Sequence, residues 1–190
     1  MIKAIIFDCF GVLITDSLGE IVSELKKDNP DKADHIVKLV NAASKGAMDA
    51  TASRSAVAGE LGLTLDEYIN AIRNGEVKNK PLLDYIKELR GRYKTALLSN
   101  IISGGLEVRF PDNELLQYFE VVVASGDIGF AKPEAQAYEI TAEKLGVRLE
   151  ECIMIDDSED YCQGAKGVGM QSVLYQSFEQ AKRDLSNLLL

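Results

Sequence analysis

Four short polar clusters in this chain each follow a run of apolar residues. Asp8 closes Ile5-Ile6-Phe7, and Ser99-Asn100 close Thr95-Ala96-Leu97-Leu98. Lys132 ends a glycine-containing loop, Ser125 to Ala131, that follows Val121-Val122-Val123-Ala124, and Asp156-Asp157 close Ile153-Met154-Ile155. An ionised carboxylate at the end of a buried strand is costly unless it meets a cation or a reacting group. Taken alone, Asp8 reads as well as a capping or turn aspartate. Taken together, the clusters offer a carboxylate able to attack, a hydroxyl beside an amide, a lysine and a carboxylate pair. Those groups suit chemistry on phosphate, where catalysis rests on positioning and charge neutralisation, and on Mg²⁺, which prefers oxygen ligands.

Such chemistry requires the four clusters to meet, and the pattern of elements says how. Short strands at 4–7, 94–98, 120–124, 151–155 and 171–175 alternate with helices at 81–92, 133–145, 159–168 and 178–189, with helical turns at 103–118. That alternation predicts an α/β fold with a Rossmann-like parallel sheet flanked by helices, the strand ends opening on one edge where ligands bind. Between the first strand and Pro81 the pattern is helical throughout, with segments at 19–27, 31–43, 51–61 and 65–74. Thr64 to Glu67 reads as a capping box, and Ser177 to Gln180 repeats its logic. We expect a core of residues 1–15 and 81–190 with an inserted α-helical cap at 16–80. An insertion at that point can exclude water from the crevice and select substrates, or it can be a structural extension.

The 190 residues, 46% of them hydrophobic, suffice for one core and a small accessory lobe. A formal net charge of −9, with no basic stripe, argues against nucleic acid or an anionic membrane as partner. No apolar run approaches a membrane span and the N-terminus has no signal-peptide pattern, so the expected location is cytoplasmic. Cys9, Cys152 and Cys162 lie in or beside apolar segments and read as small buried hydrophobes. His35, the only histidine, reads as a surface helix residue, which argues against a histidine-rich zinc site. The run Gly164 to Gly169 leads from a helix into a strand, the reverse of a dinucleotide motif, and reads as close helix–sheet packing.

The whole chain resembles the haloacid dehalogenase superfamily, in the subgroup with a helical cap after the first motif. The resemblance rests on Ile5 to Leu13, Leu97 to Asn100, Ser125 to Pro133 and Met154 to Ser158, in that order. It implies a hydrolase that takes a phosphoryl group onto Asp8. Ser99, the backbone amide of Asn100, and Lys132 would hold the phosphoryl oxygens. Asp8, the carbonyl of Phe10, Asp156 and Asp157 would hold Mg²⁺. The implied partner is a small phosphorylated metabolite, and the chain is expected to be a monomer or homodimer.

Phe10 departs from the pattern, because phosphatases of this superfamily usually carry there the aspartate that protonates the leaving oxygen. A positioned acid contributes about 10²–10⁴-fold. The chain is therefore a phosphatase for easily expelled leaving groups or with an acid from elsewhere, a slow phosphatase, or a noncatalytic phosphate- or metal-binding protein. Tyr161 stands where relatives often have Asn or Asp, and Asp160 beside it reads as solvent-facing. A metal-independent 2-haloacid dehalogenase tolerates an aromatic residue at position 10 but has no use for the Asp156-Asp157 pair. It also needs an arginine for the substrate carboxylate, for which Arg54 and Arg73 are unremarkable candidates. A two-component receiver has similar ingredients in a different order.

Overall fold

The computed structural model describes residues 1–189. Five parallel strands, β1 (Ala4–Phe7), β2 (Lys94–Ser99), β3 (Val121–Ala124), β4 (Cys152–Asp156) and β5 (Gln171–Leu174), form one sheet in the order β3-β2-β1-β4-β5. The order reverses between β1 and β4, which are paired from Ala4↔Cys152 to Phe7↔Ile155. Crevices form at the carboxyl ends of such a pair, and these two strands deliver Asp8 and Asp156.

The two-residue period of each strand divides the core. Ile5, Phe7, Leu97, Ile153 and Ile155 point to one face, where α5 (Lys80–Arg90) and α10 (Phe178–Leu188) cover them. Ala4, Ile6, Leu98 and Met154 point to the other, beneath α8 (Ala135–Leu145) and α9 (Glu159–Gly167). Between β1 and α5 run four helices, α1 (Ser17–Asp28), α2 (Pro30–Ser44), α3 (Ala50–Leu61) and α4 (Leu65–Gly75). They share a cluster of their own, Ile36, Val57, Ala58, Tyr68 and Ile72. No described helix is long and apolar enough to cross a membrane.

The helical block is tied to the sheet at several points. Ser125 Oγ donates to the carbonyl of Ser44 at 2.6 Å, Lys45 pairs with Glu134 at 3.0 Å, and Arg109 Nη2 pairs with Glu76 at 2.6 Å. Asn79 Nδ2, at the exit from the block, donates to the carbonyl of Val12 at 2.9 Å and to the Tyr175 hydroxyl at 2.7 Å.

Element positions follow the sequence pattern closely, and the differences have local causes. The stretch after β3 is not all loop: Ser125–Ile128 closes one helical turn, α7, ended by Gly129 at φ +74°. The predicted turns at 103–118 resolve into α6 (Gly105–Arg109) and a 3-10 turn at Glu114–Gln117. The capping box at Thr64 and Glu67 forms in full, whereas the one expected at Ser177 is half made. There Gln180 Oε1 accepts from the amide of Gln176 instead of Ser177.

Gly164 serves packing, but against a loop and helix rather than the sheet. A Cβ at that position would stand 2.8 Å from Pro133 Cβ and 2.8 Å from the Tyr138 hydroxyl oxygen. Tyr138 is fully buried and donates to the carbonyl of Tyr161, so it has little room to yield. Gly164→Ala is expected to cost about 1–3 kcal/mol through overpacking, read as a lower urea midpoint. An unchanged midpoint would contradict this account of the glycine.

Candidate active site

Lys132 organises the site. Its Nζ is fully buried and donates to Asp8 Oδ1 and to Asp156 Oδ2, each at 2.6 Å. The lysine backbone is fixed by the Asn100 side chain, whose Nδ2 donates to the Lys132 carbonyl while its Oδ1 accepts the Lys132 amide, both at 2.8 Å. Asp156 Oδ1 accepts the amide of Ser158 at 3.0 Å, so both of its oxygens are engaged. Asp157 follows on the exposed side, and its carboxylate rests against Gly11. Gly11 has φ +78°, and a Cβ there would fall 2.0 Å from Asp157 Oδ2. Only glycine accommodates both that backbone and that contact.

One oxygen each from Asp8, Asp156 and Asp157 lies within 4.8 Å of the other two. Three carboxylates against one ammonium leave the group net negative, and oxygen donors so placed can hold a hard divalent cation. Burial pushes the Asp8 carboxyl up to about 7; the Lys132 charge opposes that rise and the Asp156 charge adds to it. Partial loss of water raises Asp157 to about 6, helped by the charges of Asp156 and Asp16. For Lys132 burial works against the ammonium, but the two carboxylates prevail and hold its pKa above the usual lysine range.

A cavity of about 400 Å³ opens above Asp8. Asp8, Phe10, Asn100, Asp157 and Tyr161 line it from the sheet side, and Asp16, Arg54 and Tyr68 from the helical block. The structure thus brings together Asp8, Asn100, Lys132, Asp156 and Asp157 as the sequence predicts. Ser99 ends β2 fully buried, its Oγ without a hydrogen-bond partner, and it does not line the cavity. Cys9 is buried in the core with its thiol pushed up by burial, which removes it as a nucleophile. His35 and Asp160 are exposed, and Tyr161 sits on the rim with its ring 5.0 Å from Lys132 Nζ.

Sequence reasoning missed Arg109, Glu76 and Asp16. The Arg109 guanidinium lies 5.0 Å from the centre of the Phe10 ring. Its Nε and Nη2 donate to Glu76 Oε1 at 2.9 and 2.6 Å, and its Nη1 donates to the carbonyl of Gly105. No motif joins the last residue of α6 to the residue that follows α4, so nothing local signals the pair. Asp16 caps α1 by accepting the Gly19 amide at 2.9 Å. Neither that cap nor the place of Asp16 on the cavity wall was read from the sequence.

A family model for haloacid dehalogenase-like hydrolases matches residues 2–169. The chain belongs to that family. Among solved structures, a haloacid dehalogenase family enzyme from Bacteroides thetaiotaomicron, BT-2542, superposes with TM-score 0.75 at 25% identity, over 100% of this chain and 98% of that one. Wild-type BT-2542 in complex with magnesium and inorganic phosphate superposes with TM-score 0.73 at 25% identity over 100% of both chains. A phosphatase from Mycobacterium tuberculosis, MT3486, is 41% identical over 73 residues, 36% of this chain and 34% of its own. The fructose-1-phosphate phosphatase YqaB of Escherichia coli is 27% identical over 107 residues, 56% of this chain and 57% of its own. The matches to these two relatives therefore span about a third and somewhat over half of their lengths.

The two raised carboxyls give this family member a testable pH dependence in a chelator. A carboxyl whose pKa is raised in the fold, from about 3.9 in the unfolded chain, stabilises below that value and loses the contribution as pH rises through the folded value. For Asp8 and Asp157 that loss spans the interval up to about 7 and about 6 respectively. The chelated protein should lose stability between about pH 4 and pH 7, and Asp8→Asn should flatten the change, as read by urea midpoints. A wild-type midpoint independent of pH would contradict the burial argument.

Proposed function

We propose that this chain is a Mg²⁺-dependent phosphatase acting on a small phosphomonoester through an aspartyl-phosphate on Asp8. The observation that carries this reading is the buried ammonium of Lys132, shared by Asp8 and Asp156 beneath a cavity that Asp8 and Asp157 line. We propose residues 16–80 as a cap domain over a core of 1–15 and 81–190; the separate cluster of the helices and the cavity between the two parts support that division. BT-2542 in complex with magnesium and inorganic phosphate, and the phosphatases among the relatives, support the choice of reaction.

Asp8, Asp156, Asp157 and the carbonyl of Phe10 would hold Mg²⁺. The ion, when bound, offsets the repulsion between an anionic ester and an anionic nucleophile. Asp8 forms a bond to phosphorus as the ester P–O bond breaks and the alcohol leaves; water then attacks phosphorus, releasing phosphate and restoring the carboxylate. Lys132 and the backbone amide of Asn100 hold the transferring oxygens. Ser99, buried at the end of β2 and off the cavity wall, is not assigned that task. Asn100 contributes further by clamping the Lys132 backbone.

Phe10 supplies no proton to the leaving alcohol, so the favoured esters are those whose alcohols depart readily or carry their own acid. A dehalogenase reading leaves Asp157 without a role, and release of halide without metal would favour it.

Two variants test the proposal. Asp8→Asn should abolish release of phosphate from p-nitrophenyl phosphate with Mg²⁺ while leaving circular dichroism unchanged; persistent turnover excludes the mechanism. Phe10→Asp should raise the rate by about 10²-fold, the lower end for a positioned acid, because Arg109 stands beside that position and favours the ionised form. No rise in a folded variant would mean that the proton comes from another group.

A further inference from the structure

Arg54 is a cation without a partner in a place where cations need one. The other cation lining the cavity, Arg109, is matched by Glu76, as are Lys132 beneath it by Asp8 and Asp156 and nearby Lys78 by Glu114; Arg73, on the adjoining cavity, has no ion pair among the described residues but is exposed to water. Among the described residues Arg54 has neither an ion pair nor a hydrogen bond, although it is half-buried on α3. It lines the cavity that holds Asp8 and Asp157, and also an adjoining one of about 290 Å³. Removing a charge from water without a partner is unfavourable, and a guanidinium presents a planar fork suited to a carboxylate or phosphate. In a chain of net charge −9, such a group gives an approaching anion a local attraction.

The rest of the cavity limits what that anion is attached to. The phosphate end is defined by Asp8, Asn100 and Asp157, while Leu18, Val22, Ile36 and Val40 supply aliphatic wall on the helical side. About 400 Å³ exceeds the needs of a phosphate alone, given roughly 30 Å³ for one water in the liquid. The space fits a leaving group of several carbons.

We propose that Arg54 binds a second anionic group of the substrate, so that the chain selects small phosphate esters with an aliphatic middle and a distal carboxylate or second phosphate. This inference rests on the phosphatase reading and names its substrate class. Arg54 is a specificity residue in it and takes no part in the bond changes at phosphorus.

The test compares three esters of equal chain length with Mg²⁺: an alkyl phosphate, an ω-phosphooxy carboxylic acid and an alkane bisphosphate. The wild type should favour one or both of the doubly anionic esters over the alkyl phosphate by about 10- to 100-fold in kcat/KM, the range of a charge-assisted hydrogen bond. Which of the two is preferred distinguishes a carboxylate from a second phosphate. Arg54→Gln should bring the ratio close to one, mainly through KM, and Arg54→Lys should keep part of it. Arg73→Gln should leave the ratio in place, because Arg73 lines only the adjoining cavity. A wild-type ratio near one, or a ratio that survives Arg54→Gln, overturns the inference alone. Failure of the wild type to hydrolyse any of the three, or p-nitrophenyl phosphate, overturns the phosphatase reading and this inference with it.

Discussion

The structure depends on one buried ammonium between two buried carboxylates. Lys132 has no exposed side-chain surface, and neither has Asp156, while Asp8 retains only a sliver. Burying any of these charges alone costs several kcal/mol even after relaxation. Together, with 2.6 Å contacts, the two carboxylates hold the Lys132 ammonium charged against burial, and the three groups fix the distance between the ends of β1 and β4. The arrangement is still short of positive charge. Asp8, Asp156 and Asp157 outnumber Lys132, and while burial does most to raise the pKa values of Asp8 and Asp157, the charge of Asp156 adds to both. A divalent cation on one side and a phosphate ester held by Lys132 on the other would relieve the shortage, and this links stability to the proposed activity.

Other features make sense as supports for that ammonium. Asn100, which family resemblance places at the phosphate through its backbone, spends its side chain on two hydrogen bonds to the Lys132 backbone. Ser125 spends its hydroxyl joining the end of α2 to the start of α7, so the loop that leads to Lys132 is anchored to the helical block. Gly11 gives Asp157 the space to lie against the turn after β1. Each device acts on a backbone segment adjoining a functional side chain, which is how a site of charged groups is held on short strands.

The strand ends were legible because burial and charge conflict there within a few residues of sequence. Asp8 after Ile5-Ile6-Phe7 and Asp156-Asp157 after Ile153-Met154-Ile155 could be read without coordinates. So could the alternation of strand and helix, since both periods are local. Strand order was not, because Phe7↔Leu97 and Phe7↔Ile155 are pairings between residues 90 and 148 apart in the chain, with no local signature. Arg109 and Glu76 escaped for the same reason, and Arg54 stood out no more than Arg73. Each sits on or beside a helix whose local pattern marks it as an ordinary polar position, and only tertiary packing places it beside Phe10 or on the cavity wall. Gly164 shows the complementary failure: tight packing was read correctly, but its partners, Pro133 and Tyr138, come from another turn of the chain.

The central claim is that the carboxylate of Asp8 attacks phosphorus. Acid-quenching the enzyme within one turnover of a phosphate ester and Mg²⁺, followed by peptide mass spectrometry, tests it most directly. The account predicts one phosphoryl group on the peptide containing Asp8, located on that side chain and removed by hydroxylamine. Turnover with the phosphoryl group on another residue, or with no phosphorylated peptide and labelled water oxygen entering the Asp8 carboxylate, would contradict it.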